Sequence, residues 1–210
     1  MEKTTGITKE LEMTKEELLE RVYVAVVNEN FASSNNGNVT KKAKGDIVFV
    51  MKAAIDKSRT LVVNESVLKK YNIDQEDLWK IAKKNTIKNA ELSSMHDTLV
   101  DLLGSEENAN IIEAAPIQPD MYVLTNHEKM NGAAAIMFPA VAKKVYKILG
   151  DFYILPSSIH EVICIPTSLG DVDELTSMVR EVNDSEVEPD ERLSYTVFKC
   201  ENEKGTVSVA

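Results

Sequence analysis

The sequence predicts an α+β protein. The expected core is a mostly antiparallel sheet built from β-hairpins, with helices packed mainly on one face, preceded by a helical N-terminal half. Three observations lead there. Short apolar runs separated by turn residues crowd the second half. Amphipathic stretches with capping residues fall between them. The connections are short, which makes neighbouring strands antiparallel. A chain of 210 residues suits one large domain or two lobes and is long enough to bury most of its apolar surface. The expected division is a mainly helical lobe over 1–104, a linker over 105–120 and a ββα-ββα-ββ lobe over 121–210, with one compact domain as the alternative.

The first thirteen residues are polar and read as frayed. Thr14-Lys15-Glu16-Glu17 has capping-box spacing, and Leu18, Leu19, Val22 and Val26 recur at helical spacing, so a helix is expected to about Asn28. Ala32–Asn38 is a loop by composition. Ile47–Met51 is a short apolar run that periodicity assigns to neither strand nor helix. Thr60–Val63 reads as a strand, and short helices follow over Glu65–Lys70 and from Asp74, with Leu78, Ile81 and Ala82 on one face. Ala90–Leu103 carries the stripe Leu92, Met95, Leu99, Leu103, with Gly104 placed as a left-handed cap.

Further on, Met121–Thr125 and Ala133–Phe138 read as strands about the turn signal Asn131-Gly132. Pro139 opens a helix that ends at Gly150. Phe152–Pro166 reads as a hairpin bent at Pro156-Ser157-Ser158. A helix starts at Asp171, with Glu174 completing a capping box. Ser194–Lys199 and Thr206–Val209 close the chain as strands.

Composition narrows the function. The chain has 34 acidic against 24 basic residues, a net charge of −10, which argues against nucleic-acid binding. The basic patch Lys41-Lys42-Ala43-Lys44 has no neighbouring aromatic residue and reads as a solvated loop. No apolar run is long enough for a membrane span, and no signal-peptide core stands at the start, so the expected location is cytoplasmic. Cys164 and Cys200 lie in strand-like runs and read as buried reduced thiols.

Several strings point to a known family. Met121–Asn126, Gly132-Ala133-Ala134, Phe152–Val162 with its Leu-Pro-Ser-Ser-Ile-His-Glu-Val motif, and Met178–Asn183 together resemble a family of uncharacterised bacterial proteins typical of anaerobic gut bacteria, known as a domain of unknown function. Leu61–Glu65 and Ala82–Thr86 are similar too, so the resemblance runs from about Leu61 to Lys199. Members often carry a longer N-terminal region than this chain, and Leu-Tyr-Pro-Gly where this chain has Met137-Phe138-Pro139-Ala140. The resemblance implies no established activity, cofactor or catalytic residue.

The one cluster that looks like chemistry is Ser157, Ser158, His160 and Glu161. A serine nucleophile needs a base within hydrogen-bond reach and an acid to orient that base. His160 and Glu161 are adjacent, so on a strand they point to opposite faces, and no Gly-x-Ser-x-Gly elbow exposes either serine. The bend therefore reads first as a turn and second as a hydrolase-like site. The histidines, His96, His127 and His160, have no metal-ligand spacing, and no metal or cofactor is expected. The 8 glycines are unclustered, so no phosphate cradle is expected.

Trp79 falls beside a helix stripe and reads as a half-buried core aromatic or as an anchor for a partner. Asn126 and Asn183 read as ends of elements, with Asn126 and His127 as candidate binding residues. The sequence thus points to a cytoplasmic, non-enzymatic protein that acts through a protein partner. The alternatives are a hydrolase-like enzyme at Ser157, Ser158, His160 and Glu161, and, third, a small-molecule sensor in the cleft between the two halves around the Ser105–Asp120 linker.

Overall fold

In a computed structural model of the protein, residues 13–33, 40–56, 59–103 and 120–210 are described. The capping box at Thr14 forms as expected: its hydroxyl accepts from the Glu17 amide and the Glu17 carboxylate accepts from the Thr14 amide. The helix it starts, α1, covers Lys15–Arg21. The chain then leaves helical geometry, and Val22–Asn28 is strand β1. This corrects the expected helix to Asn28. Val22, Tyr23, Val24, Val26 and Val27 favour extended backbone, and alternation places Val22, Val24 and Val26 in the core at 0% exposure. Met13, expected to be frayed, is buried, and its carbonyl accepts from the Tyr71 hydroxyl at 2.6 Å.

After α2 (Glu29–Ser33), β2 (Thr40–Lys42), β3 (Ile47–Ala54) and β4 (Thr60–Val62) follow. Strand β3 is central in a four-stranded antiparallel sheet. It pairs with β1 on one side, from Val22↔Ala53 to Asn28↔Ile47, and with β2 and β4 on the other. The N-terminal half therefore holds a sheet of its own besides its helices. Helices α3 (Glu65–Tyr71) and α4 (Gln75–Asn89) are capped by Asn64 and Asp74. Strand β1 lies at the sheet edge, and α4 covers that edge chemically. The Thr86 hydroxyl accepts from the Val24 amide at 2.8 Å, and Asn85 Nδ2 contacts the carbonyls of Leu19, Glu20 and Val22. Polar side chains thus occupy backbone groups that an open edge would leave to other strands.

The expected helix over 90–103 divides into β5 (Ala90–Ser94) and α5 (Met95–Leu103). Pairing of β5 with β6 (Tyr122–Asn126) overrides the helical spacing of Leu92 and Met95. Ala133–Phe138 is not the second strand of a hairpin either: Gly132–Met137 forms a 3-10 turn leading into α6 (Pro139–Leu149). Gly132 is the reason the chain can turn so close to β6, since a Cβ there would lie 2.6 Å from the Asn126 amide nitrogen. The Phe152–Pro166 hairpin forms as expected, with β7 (Phe152–Leu155) against β8 (Val162–Pro166). Helix α7 (Val172–Ser185) is capped by Asp171, which accepts from the Asp173 amide in place of the expected box with Glu174. Strands β9 (Phe198–Cys200) and β10 (Val207–Val209) are shorter than expected.

The second sheet is six-stranded and antiparallel, in the order β10-β9-β7-β8-β6-β5. The fold is α+β, and the larger apolar core runs through both halves. Leu18, Val24, Met51 and Leu78 share it with Ala134, Val141, Phe152 and Phe198. Gly104, the linker reading over 105–119 and most of the loop reading over 32–38 lie outside the described residues. No helix among the described residues is long and apolar enough to cross a membrane.

Candidate functional site

The loop between β6 and the 3-10 turn joins the two sheets. Asn126 clamps it: its Nδ2 donates to the Met130 carbonyl at 2.8 Å, and its Oδ1 accepts from the Met130 amide at 3.1 Å. Lys129 and Asn131 both take positive φ, 51° and 57°, which lets the chain reverse in so few residues. Asn131 is 4% exposed, and its side chain links three elements. Its Oδ1 accepts from Lys52 Nζ at 2.8 Å, and its Nδ2 donates to the Tyr23 hydroxyl oxygen at 3.2 Å. Tyr23 and Lys52 are cross-strand partners on β1 and β3, and the Tyr23 hydroxyl also bonds the Thr60 side chain. Burial holds the Tyr23 phenol neutral by pushing its pKa up to about 12, against the smaller opposing effect of these bonds. Burial pushes the Lys52 ammonium down from its ordinary value.

A cavity of about 610 Å³ opens at this seam. Its walls come from the edge of β1, the end of α4, Ala54–Asp56 with Thr60, and the Asn126–Gly132 loop. Asn126 and His127, the candidate binding residues read from sequence, both line it. His127 is exposed, with Nδ1 3.0 Å from Glu91 Oε2. Trp79 lies elsewhere. Its ring meets Phe49 edge-on at 5.6 Å, Phe49 stacks on Phe138, and Lys41 Nζ sits 4.5 Å from the Trp79 ring centroid. That arrangement ties the aromatic group to the core. Lys41 also pairs with Glu76 at 2.8 Å.

On the other side of Met130, a more open pocket of about 370 Å³ holds Ser158, His160, Glu161 and Glu191. His160 Nδ1 accepts from the Asn131 amide at 3.1 Å, which places the ring proton on Nε2, 3.2 Å from Glu191 Oε1. The His160 carbonyl accepts from Gly132 N–H and from the Thr125 hydroxyl, both at 2.9 Å. Ser158 is buried, and its oxygen accepts from the His160 amide at 2.9 Å. The histidine thus has a carboxylate, contributed by the distant Glu191, but both ring nitrogens are engaged away from the serines. The histidine therefore serves neither serine as a base, and the Ser158 hydroxyl donates instead to the Glu161 carboxyl. Ser157 contributes its carbonyl, which accepts from the Leu193 amide at 3.2 Å. The Glu161 carboxyl is pushed above its ordinary value by burial first and by the charge of Glu191 last, against the opposing effects of His160 and Ser158.

The two thiols are free and buried, and burial raises both. Among the described residues no three His, Cys, Asp or Glu side chains are grouped to hold a metal ion. Asn183 is fully buried in α7, where its Nδ2 donates to the Ser194 carbonyl at 3.0 Å.

Sequence reasoning missed Tyr23, Lys52, Asn85, Thr86 and Glu191. Only Lys52 carried a signal, as a charged residue interrupting the apolar run of β3. Asn131 was read for its backbone and not for its amide.

Fold and site define a class: an α+β protein whose two antiparallel sheets meet at a cavity of ligand size with mixed polar and apolar walls. A family model matches residues 4–201, and the chain belongs to that family, a family of unknown function (DUF5688). No curated protein and no solved structure matches the chain.

Proposed function

We propose that the protein binds a small polar molecule in the seam cavity between its two sheets. The observation that carries this reading is the cavity itself, about 610 Å³ in volume. Ligand sites fall in the range of roughly 300–1,000 Å³, are largely pre-formed and carry a few fixed polar groups among apolar walls. Tyr23 and Asn131 are such groups, and their hydrogen bonds hold them in one geometry. This sensor-like role ranks above a protein-partner role because the exposed large apolar side chains are spread over several elements, Phe31, Leu102, Ile148, Leu169 and Val209 each on a different one, with Met178 and Val182 one turn apart on α7. It ranks above hydrolysis because His160 serves the backbone of Asn131 and faces Glu191.

The test is native mass spectrometry of the full chain purified from its own cells, beside Asn89→Trp, which fills the cavity mouth from an exposed position. A bound small molecule on the wild type that is missing from N89W is the expected outcome. A wild type that carries none, and whose melting temperature no member of a metabolite panel raises, overturns the reading.

A further inference from the structure

Lys52 stands out among the charged groups of the seam. It interrupts the apolar run of β3 and lies partly buried beside Tyr23. Charges removed from water are ordinarily paired. Yet among the described residues no carboxylate pairs with Lys52, and its ammonium meets one neutral acceptor, Asn131 Oδ1 at 2.8 Å. Of its three N–H donors one bonds an amide, and among the described residues none meets a counter-charge.

The direction of the hydrogen bonds adds a second constraint. An ammonium can only donate, so the atom of Asn131 that meets Lys52 is the amide oxygen. The other atom, Nδ2, therefore donates to the Tyr23 oxygen. With its oxygen already accepting from Asn131 and bonded by Thr60, the Tyr23 hydroxyl offers its hydrogen to whatever occupies the cavity that it lines. The phenol keeps that hydrogen at neutral pH, where even its ordinary value of 10.0 leaves it protonated, and burial raises that value further. A positive charge at the far end of the chain strengthens each donor along it. The charged wall residues Glu20, Arg21, Asp56 and Glu128 are exposed, Arg21 paired with Glu17 and Asp56 with Arg59, so those charges lie toward solvent and the donor hydroxyl backed by a cation lies inside.

We propose that the seam cavity takes a small carboxylate-bearing molecule, whose carboxylate accepts from the Tyr23 hydroxyl and finds its counter-charge in Lys52. This rests on the cavity being a binding site. The body of the ligand then lies toward the mouth, between Asn89 and the Asn126–Met130 loop.

The experiment titrates the full chain with three matched pairs of acid and primary amide: benzoate with benzamide, 4-hydroxyphenylacetate with its amide, and succinate with succinamide. Binding is followed by ligand-observed NMR for wild type, Lys52→Met, Tyr23→Phe and N89W, each first checked for folding by circular dichroism. Wild type is expected to bind an acid about tenfold more tightly than its amide, the size of one charge-assisted hydrogen bond. That ratio should fall to about one in K52M. Y23F should weaken the acid by a larger factor than the amide, whose carbonyl accepts the same hydrogen more weakly, and it carries the test alone if K52M does not fold. N89W should abolish both. Equal binding of acid and amide to wild type, or a ratio that survives in K52M, overturns the carboxylate assignment and leaves the cavity reading standing. No binding of any pair below about 10 mM overturns both.

Discussion

The two pockets on either side of Met130 are both rich in polar side chains and use them differently. At the bend, His160 Nδ1 takes the Asn131 amide, the His160 carbonyl takes Gly132 and Thr125, and the Ser158 oxygen takes the His160 amide. The side chains that look reactive are holding backbone. At the seam, the chain from Lys52 through Asn131 reaches a hydroxyl that lines open volume. A dense Ser-Ser-Ile-His-Glu string in sequence reports turn chemistry, because serine and histidine bond nearby amides whenever the backbone reverses. A binding site needs convergence of distant elements onto a space. At the seam, β1, α4 and the Asn126–Gly132 loop converge on about 610 Å³, against about 370 Å³ at the bend.

The most severe way to break the comparison is Gly132→Ala, because Gly132 serves both regions. Its added Cβ would meet backbone, the Asn126 nitrogen at 2.6 Å, which no side-chain rotation relieves. The expected cost is about 3 kcal/mol, read as a lower urea midpoint, with both pockets lost together. A midpoint unchanged from wild type would mean that the loop can move without consequence, and the two pockets would then be independent.

A smaller effect separates the bend from the seam. The Glu161 carboxyl lies above its ordinary value of 4.5 in the folded protein, mainly through burial. The folded state therefore holds this proton to higher pH than the unfolded state does, and stability falls as pH rises through the interval above 4.5. Glu161→Gln should flatten that stretch of the stability–pH curve while leaving acid binding at the seam unchanged. An unaltered slope would show that Glu161 ionises without cost and that the bend pocket is wetter than its geometry indicates.

The smallest effect is expected at Ser157→Ala. Among the described bonds Ser157 uses only its carbonyl, so stability should change by less than about 0.5 kcal/mol in chemical denaturation. The bound molecule sought by native mass spectrometry should also be retained. Loss of a bound molecule or of a hydrolytic activity in this variant would move the site to the bend.

What could be read ahead of the structure was what a few neighbouring residues settle. Thr14, Asp74 and Asp171 cap helices because a side-chain oxygen reaches amides two or three residues on. The Phe152–Pro166 hairpin has apolar runs on both sides of one bend. Helical spacing misled twice, at Val22–Val26 and at Leu92–Met95, because strand partners far along the chain, β3 and β6, outweighed local periodicity. At Ala133–Phe138 a turn signal was right about the backbone of Asn131 and wrong about what followed. The cavity was legible only in Asn126 and His127, which sit next to a strand end. Tyr23 and Asn85 look like ordinary members of a strand and a helix until they are brought together.

By itself, then, the sequence determined the α+β class, the helix caps, the hairpin about Pro156 and the acidic balance, all of which depend on composition or on contacts within a few residues. The tertiary structure alone decided that β1 is an edge sealed by Asn85 and Thr86, and that His160 is held by Asn131 and Glu191. It also decided that Lys52, Asn131 and Tyr23 form one polar chain beside a cavity. These contacts join residues tens of positions apart. Nothing in local propensity marks such pairs, because their energy arises only once two sheets have packed against each other.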